Sequence, residues 1–153
     1  MENKRFLECC CTDAAEAVEA MTGGAGRVEL CEDLPCGGVT PGRGNIEETL
    51  RRVNIPVNVL IRARVGDFVY DEDEIEAMIG SVRMCRELGV NGVVVGALRA
   101  DGSVDTEAVG RLMAEAQGLR VTFHRAFDEC AEPVRALEDI ISLGCDRLLT
   151  AGH

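Results

Sequence analysis

The segment 121–130, VTFHRAFDEC, decides how this chain is read. It opens in strand-like alternation, with Val121 and Phe123 apolar on one side and Thr122 and His124 on the other. His124, Arg125 and Asp128 then fall in the turn before a helix that begins near Glu132 and Pro133. Titratable side chains placed where a strand passes into a βα loop occupy the position at which α/β barrels keep their chemistry. The plainer alternative is a hydrogen-bonded core histidine next to an Arg125–Asp128 ion pair within the loop.

The same strand–loop–helix unit recurs on both sides of this segment. Strands are expected over 5–11, 26–31, 56–62, 92–98, 120–124 and 146–150, and helices over 12–21, 45–53, 71–88, 105–117 and 133–143. Asp13 with Glu16 marks the first helix start, Glu48 completes a capping pattern for the second, and Gly89 stops the third. Pro133 suits the first turn of the last helix. The loop CEDLPCGGVTPGRG, from Cys31 to Gly44, is long enough to have a role of its own, and PGRGN at its end either turns the chain or offers amides to an anion.

With 153 residues, 46% of them hydrophobic, the chain forms one core, a single domain over 1–153. A formal net charge of −11, from 16 basic and 27 acidic residues, is the wrong sign for a nucleic-acid partner or an anionic membrane surface. The N-terminal MENKRFLECCC has no apolar signal core, and the longest apolar run, near Val93 to Leu98, is far short of a membrane span. A soluble, cytoplasmic protein with eight reduced thiols is expected.

Strands alternating with helices and no hairpin signals imply a parallel sheet. Polar residues at alternate strand positions imply that it is curved. Glu8 and Cys10, Glu29 and Cys31, Asn58 and Arg62, and Thr122 and His124 share one face of their strands, while Cys9, Val28, Leu30, Val57, Val59, Ile61, Val121 and Phe123 share the other. A TIM (β/α)8-type barrel satisfies both faces, although only six units are present in the chain.

RVELCEDLPCGGVTP (27–41), IRARVGDFVYDEDEI (61–75), VVVGALRADGSVD (93–105) and VTFHRAFDECAEPVRAL (121–137) resemble the CutC family, described as copper-homeostasis proteins with a (β/α)8 barrel. The resemblance runs from Phe6 to Gly152 and implies that roughly another third of the family's length, with strands seven and eight, is missing here. Ala63 stands where the family tends to have proline, and Val65 where it has a second glycine; neither change removes a charge. The resemblance also implies copper binding, with the family's proposed ligand cysteines corresponding to Cys10 and Cys31. By alternation both face the interior on neighbouring strands, and paired soft sulfur ligands select Cu(I).

A competing class is an enzyme of lyase or isomerase type. Glu8 and Glu29 inside a barrel need a counter-charge, for which Arg62 is the expected partner. Together with His124, Arg125 and Asp128, and with Arg64, Asp67 and Tyr70 in the loop after the third strand, they would form one mouth. Such a mouth suits proton transfer or carbon–carbon chemistry on a small anionic or sugar-like metabolite. The bland counterpart is a buried ion network that only fixes strand register. Six units leave two sheet edges open, so a homo-oligomer is expected.

Overall fold

The computed structural model describes residues 5–153; residues 1–4, part of the stretch read above as lacking a signal core, lie outside the described residues. Six strands, β1 (Glu8–Cys11), β2 (Arg27–Leu30), β3 (Val57–Leu60), β4 (Gly92–Val95), β5 (Arg120–Phe123) and β6 (Arg147–Leu148), form one parallel sheet in sequence order. Five helices lie between them: α1 (Ala14–Thr22), α2 (Arg43–Arg52), α3 (Glu72–Leu88), α4 (Thr106–Glu115) and α5 (Pro133–Leu143). Strands that pair only with their sequence neighbours, each joined by a crossover helix, make the arc of a half-barrel rather than a doubly wound sheet.

The period-two pattern separates the two faces. Val57, Val59, Ile61, Val93, Val95, Val121 and Phe123 join Ile75, Met78, Val82, Val109, Leu112 and Ile140 in one core between sheet and helices. The alternate residues Cys31, Leu60 and Val94 form a separate small cluster on the inner face. Asn58 lies on that face too and accepts from Asn91 Nδ2 at 2.8 Å, beside Gly92, which has no side chain to compete for the space. Cys9 packs with Cys11, Ala17 and Val28 on the helix side, and all eight cysteines are free thiols.

Helix termini follow the expected stops more closely than the expected starts. Asp71 and Glu74 form a reciprocal capping box, and Gly89 at φ 77° ends α3. At α1, Asp13 accepts from Glu16 N, but the Glu16 carboxylate takes Thr12 N one residue further back. Glu48 does not cap α2: that helix starts two residues earlier, at Arg43, and Glu48 pairs with Arg51 on the surface. Its first free amide, Gly42 N, donates instead to Glu32 Oε1 at 2.9 Å, so the chain's own carboxylate occupies the place considered for an external anion. Two 3-10 turns, Leu34–Cys36 and Arg125–Glu129, were not anticipated, and the strands are shorter than their apolar runs.

β1 and β6 each have a single neighbour, and Phe6 and Leu7 before β1 are exposed, as are Val134, Leu137 and Ile141 along α5. Among the described residues no helix is long and apolar enough to cross a membrane.

The capping box gives a direct test of how far local signals stabilise the arc. Asp71→Ala removes the acceptor for Glu74 N and is expected to lower stability by about 1 kcal/mol, read from the urea midpoint at unchanged slope. An unchanged midpoint would mean that the helix start is held by packing alone.

Candidate functional site

Arg62 extends the inner-face series Asn58, Leu60 beyond the end of β3 and is only 8% exposed. Its Nη1 donates to Gly38 O at 3.0 Å and its Nη2 to Gly66 O at 2.7 Å, tying together the loops after β2 and β3. Gly37 at φ 94° is needed there: a Cβ at this position would lie 2.8 Å from Arg62 Nη1. The backbone closes the same junction, since Arg62 N donates to Thr40 Oγ1 and Thr40 N to Arg62 O. The long loop after β2 is therefore part of the site wall. Phe68 covers the guanidinium, with Arg62 Cζ 5.0 Å from its ring centre.

His124 sits across from this arginine at the end of β5. Its ring centre lies 5.0 Å from that of the same Phe68, the two rings tilted by 49°, and it passes over Gly96, where a Cβ would meet its ring at 2.4 Å. Its Nδ1 accepts from Ala126 N at 3.1 Å, which puts the proton of the neutral ring on Nε2. Burial, helped by the positive Arg62, pushes its pKa down to about 3. Both Arg62 Nε and His124 Nε2 are buried and have no hydrogen-bond partner among the described residues. The Tyr70 hydroxyl is likewise buried without a partner of full hydrogen-bond geometry, and it lies close enough to the Arg62 guanidinium to interact with it.

Arg62, Phe68 and His124, but not Tyr70, line a cavity of about 290 Å³ at the C-terminal ends of the strands, with Cys10 and Glu29 on its other side and Leu34, Leu60 and Leu149 as apolar wall. Glu29 accepts from Cys10 Sγ at 3.0 Å, and burial raises its pKa above the usual carboxylate range. The Cys10 thiol is pushed well up, by burial first and by Glu29 next, and burial lifts Cys31 to about 11. Cys31 Sγ lies against Gly38, packed with Leu60.

Several expected partnerships are different. Arg62 pairs with neither glutamate. Glu8 is the first residue of β1 and stands at the opposite end of the strand, where it pairs with Arg27, the first residue of β2. Alternation placed Glu8 on the right face but says nothing of its height along the strand. Arg27 shares the face of Glu29 and Cys31 two residues away, so the same signal points to it. Arg125 reaches the cavity rim while its Nε donates to Asp128 Oδ2 at 2.9 Å. Asp128 does not line the cavity. It accepts from Thr150 Oγ1 and from Ala151 N at 3.0 Å, bonds that hold its carboxyl well below the usual range and fasten the β5 loop to the end of β6. Arg64 and Asp67 bond to each other, and Arg64 also to Glu74 at 2.6 Å, in a surface network outside the cavity. Phe68, Gly37 and Gly96 were missed, because apolar and glycine residues in loops have no chemical signature. Among the described residues no group of three or more His, Cys, Asp and Glu is arranged to hold a metal ion.

The CutC family model matches residues 5–153. A CutC protein of Parabacteroides distasonis is 49% identical over 98% of this chain and 62% of its own length, and one of Porphyromonas gingivalis strain W83 is 50% identical over 95% and 59%. The chain thus spans about three fifths of these curated relatives. A crystal structure of CutC from Streptococcus agalactiae, whose description assigns it provisionally to copper homeostasis, superimposes with a TM-score of 0.90 at 33% identity, covering 97% of this chain and 73% of that one. A phosphonopyruvate hydrolase at 15% identity and TM-score 0.69 shares the fold only.

The buried imidazole carries a pH signature. The unfolded chain takes up a proton on His124 near pH 6.5, the native protein only near 3, so protons favour unfolding between these limits. Its contribution to stability is therefore complete above about 6.5 and lost progressively as pH falls toward 3. Urea midpoints across that range are expected to decline less in His124→Asn, which keeps an acceptor for Ala126 N, than in the parent. Equal declines, or a His124 resonance titrating near 6.5 by NMR, would contradict the buried neutral ring.

Proposed function

Because the chain belongs to the CutC family, we propose that its half-barrel carries that family's ligand site in the cavity at the strand ends, and that this site binds and transforms a small oxyanion-bearing metabolite. One observation supports the reading above others: Arg62 and His124 both line one cavity, and each carries a buried donor, Nε and Nε2, without a partner among the described residues. Leaving such donors unsatisfied costs about 1–3 kcal/mol each, more for a charged group, and an acceptor ligand recovers it. The volume fits a small acid, at the low end for small-molecule pockets. Arg62 holds the anion and His124 donates to a second oxygen. Arg125 at the rim remains a candidate for steering anions inward, whereas Glu8 and Asp128 serve the frame through Arg27 and Thr150.

Copper homeostasis is the second reading, and it comes from the family. Cys10 lies on β1 and Cys31 one residue past the end of the neighbouring β2, and Cys31 is among the groups that raise the Cys10 thiol. As cargo, Cu(I) would take these two soft ligands. It would also have to displace the Cys10 to Glu29 hydrogen bond and deprotonate thiols that burial holds protonated. A cytoplasmic setting and self-association through the open β1 and β6 edges belong to the same proposal.

Calorimetric titration separates the readings. Acetate, pyruvate and inorganic phosphate are expected to bind the parent chain, with affinity lowered roughly 10- to 100-fold in Arg62→Ala and unchanged in Cys10→Ser with Cys31→Ser. Anaerobic Cu(I) competition is expected to give equal affinity for the parent and the double serine variant. Copper affinity lost with the cysteines, and no anion bound by the parent, would reverse the order of the two readings.

A further inference from the structure

We infer that the cavity enolises a short 2-oxo acid, or a comparable carbonyl compound bearing an oxyanion, with Glu29 as the proton-transferring group and His124 as the neutral donor to the carbonyl oxygen. This rests on the small-oxyanion reading and narrows it to a reaction. Glu29 is 7% exposed on the inner face of β2 and lines the same cavity as Arg62 and His124. Its Oε2 accepts the Cys10 thiol at 3.0 Å, while Oε1 has no hydrogen-bond partner and the carboxylate no ion pair among the described residues. Arg27, the nearest cation on its own strand, is taken by Glu8. A buried carboxylate with one weak thiol donor and no ion pair, Arg27 acting on it only from a distance, is a stronger base than an exposed one, in line with the upward shift that burial gives it.

The roles divide because the imidazole cannot share them. Its Nδ1 is committed to Ala126 N, and its depressed pKa keeps it from accepting a proton near neutrality, so it acts only through Nε2–H. A neutral imidazole beside a guanidinium is suited to oxygen on which negative charge grows. The Cys10 thiol, exposed at its residue surface but held protonated by partial desolvation and by Glu29, is poorly disposed to act as a nucleophile.

The step balances without a further reactant. The Glu29 carboxylate takes a proton from the carbon next to the carbonyl. The C–H electron pair becomes the new C=C bond as the carbonyl π pair moves onto oxygen, and that oxyanion is held by His124 Nε2–H with Arg62 alongside. Return of the proton from the Glu29 carboxylic acid to carbon restores the ketone, and in D2O the returning particle is a deuteron. Leu34, Leu60, Phe68 and Leu149 keep the rest of the cavity apolar, which strengthens each of these interactions.

The test is proton NMR of pyruvate, 2-oxobutyrate and dihydroxyacetone phosphate in D2O with the 153-residue protein, following loss of the signal next to the carbonyl. Binding of each probe is measured in parallel by saturation transfer. Exchange above the protein-free rate is expected for at least one probe, reduced on the order of 10²- to 10⁴-fold in Glu29→Gln with binding kept within a few-fold. Glu29→Asp, which keeps the charge, should retain part of the rate, guarding against a mere packing defect. Binding without exchange, or exchange unchanged in Glu29→Gln, would overturn the enolisation and leave the oxyanion site standing. Failure of all three probes to bind the parent would overturn the oxyanion site and this inference with it.

Discussion

A guanidinium removed from water at the end of a strand is the interaction on which the rest of the site depends. Burying Arg62 requires partners for its donors, and the surrounding backbone supplies one for each Nη: Gly38 and Gly66 offer carbonyls, Gly37 gives clearance, and Phe68 covers one face. Two loops from different βα units are thereby joined over the mouth of the arc. Burial, with this charge adding to it, keeps the neighbouring histidine neutral. The nitrogen Nε stays unmatched among the described residues, as does Nε2 of His124, and these two donors are what the proposed ligand site would use.

The half-barrel places these groups by simple geometry. A parallel strand buried on both faces divides its residues between the helix layer, here valines, Ile61 and Phe123, and the inner face, which is smaller and more polar. Polar residues near the N-terminal ends, Glu8 and Arg27, neutralise each other. Those near the C-terminal ends, Glu29, Arg62 and His124, do not, and they share a cavity. Position along the strand thus separates frame from chemistry.

That division also explains what could be read from the chain before its structure. Alternation in VELC, NVLIR and VTFH assigns faces correctly, and the Asp71–Glu74 and Gly89 signals mark the limits of α3. Alternation is blind to height, however, so Glu8 was matched with Arg62 when its partner lies in register at the first residue of β2. Turn composition shows that Asp128 is titratable but not that Thr150 and Ala151, 22 and 23 residues away, will claim it. The α2 cap was misassigned for a related reason: Glu32 reaches Gly42 across a loop whose 3-10 turn and bridge, Glu32 with Val39, leave no periodic trace. Contacts set by tertiary closure were the illegible part, whereas contacts set by period and local capping were legible.

The central claim is that Arg62 Nε and His124 Nε2 jointly await an acceptor, and a crystal structure of the protein grown with pyruvate tests it most directly. The account predicts a pyruvate oxygen within about 3 Å of each of these two nitrogens, with the Nδ1 bond to Ala126 N intact and the methyl group toward Glu29. Pyruvate bound elsewhere, or a cavity in which both nitrogens bond to the protein's own carbonyls, would contradict it.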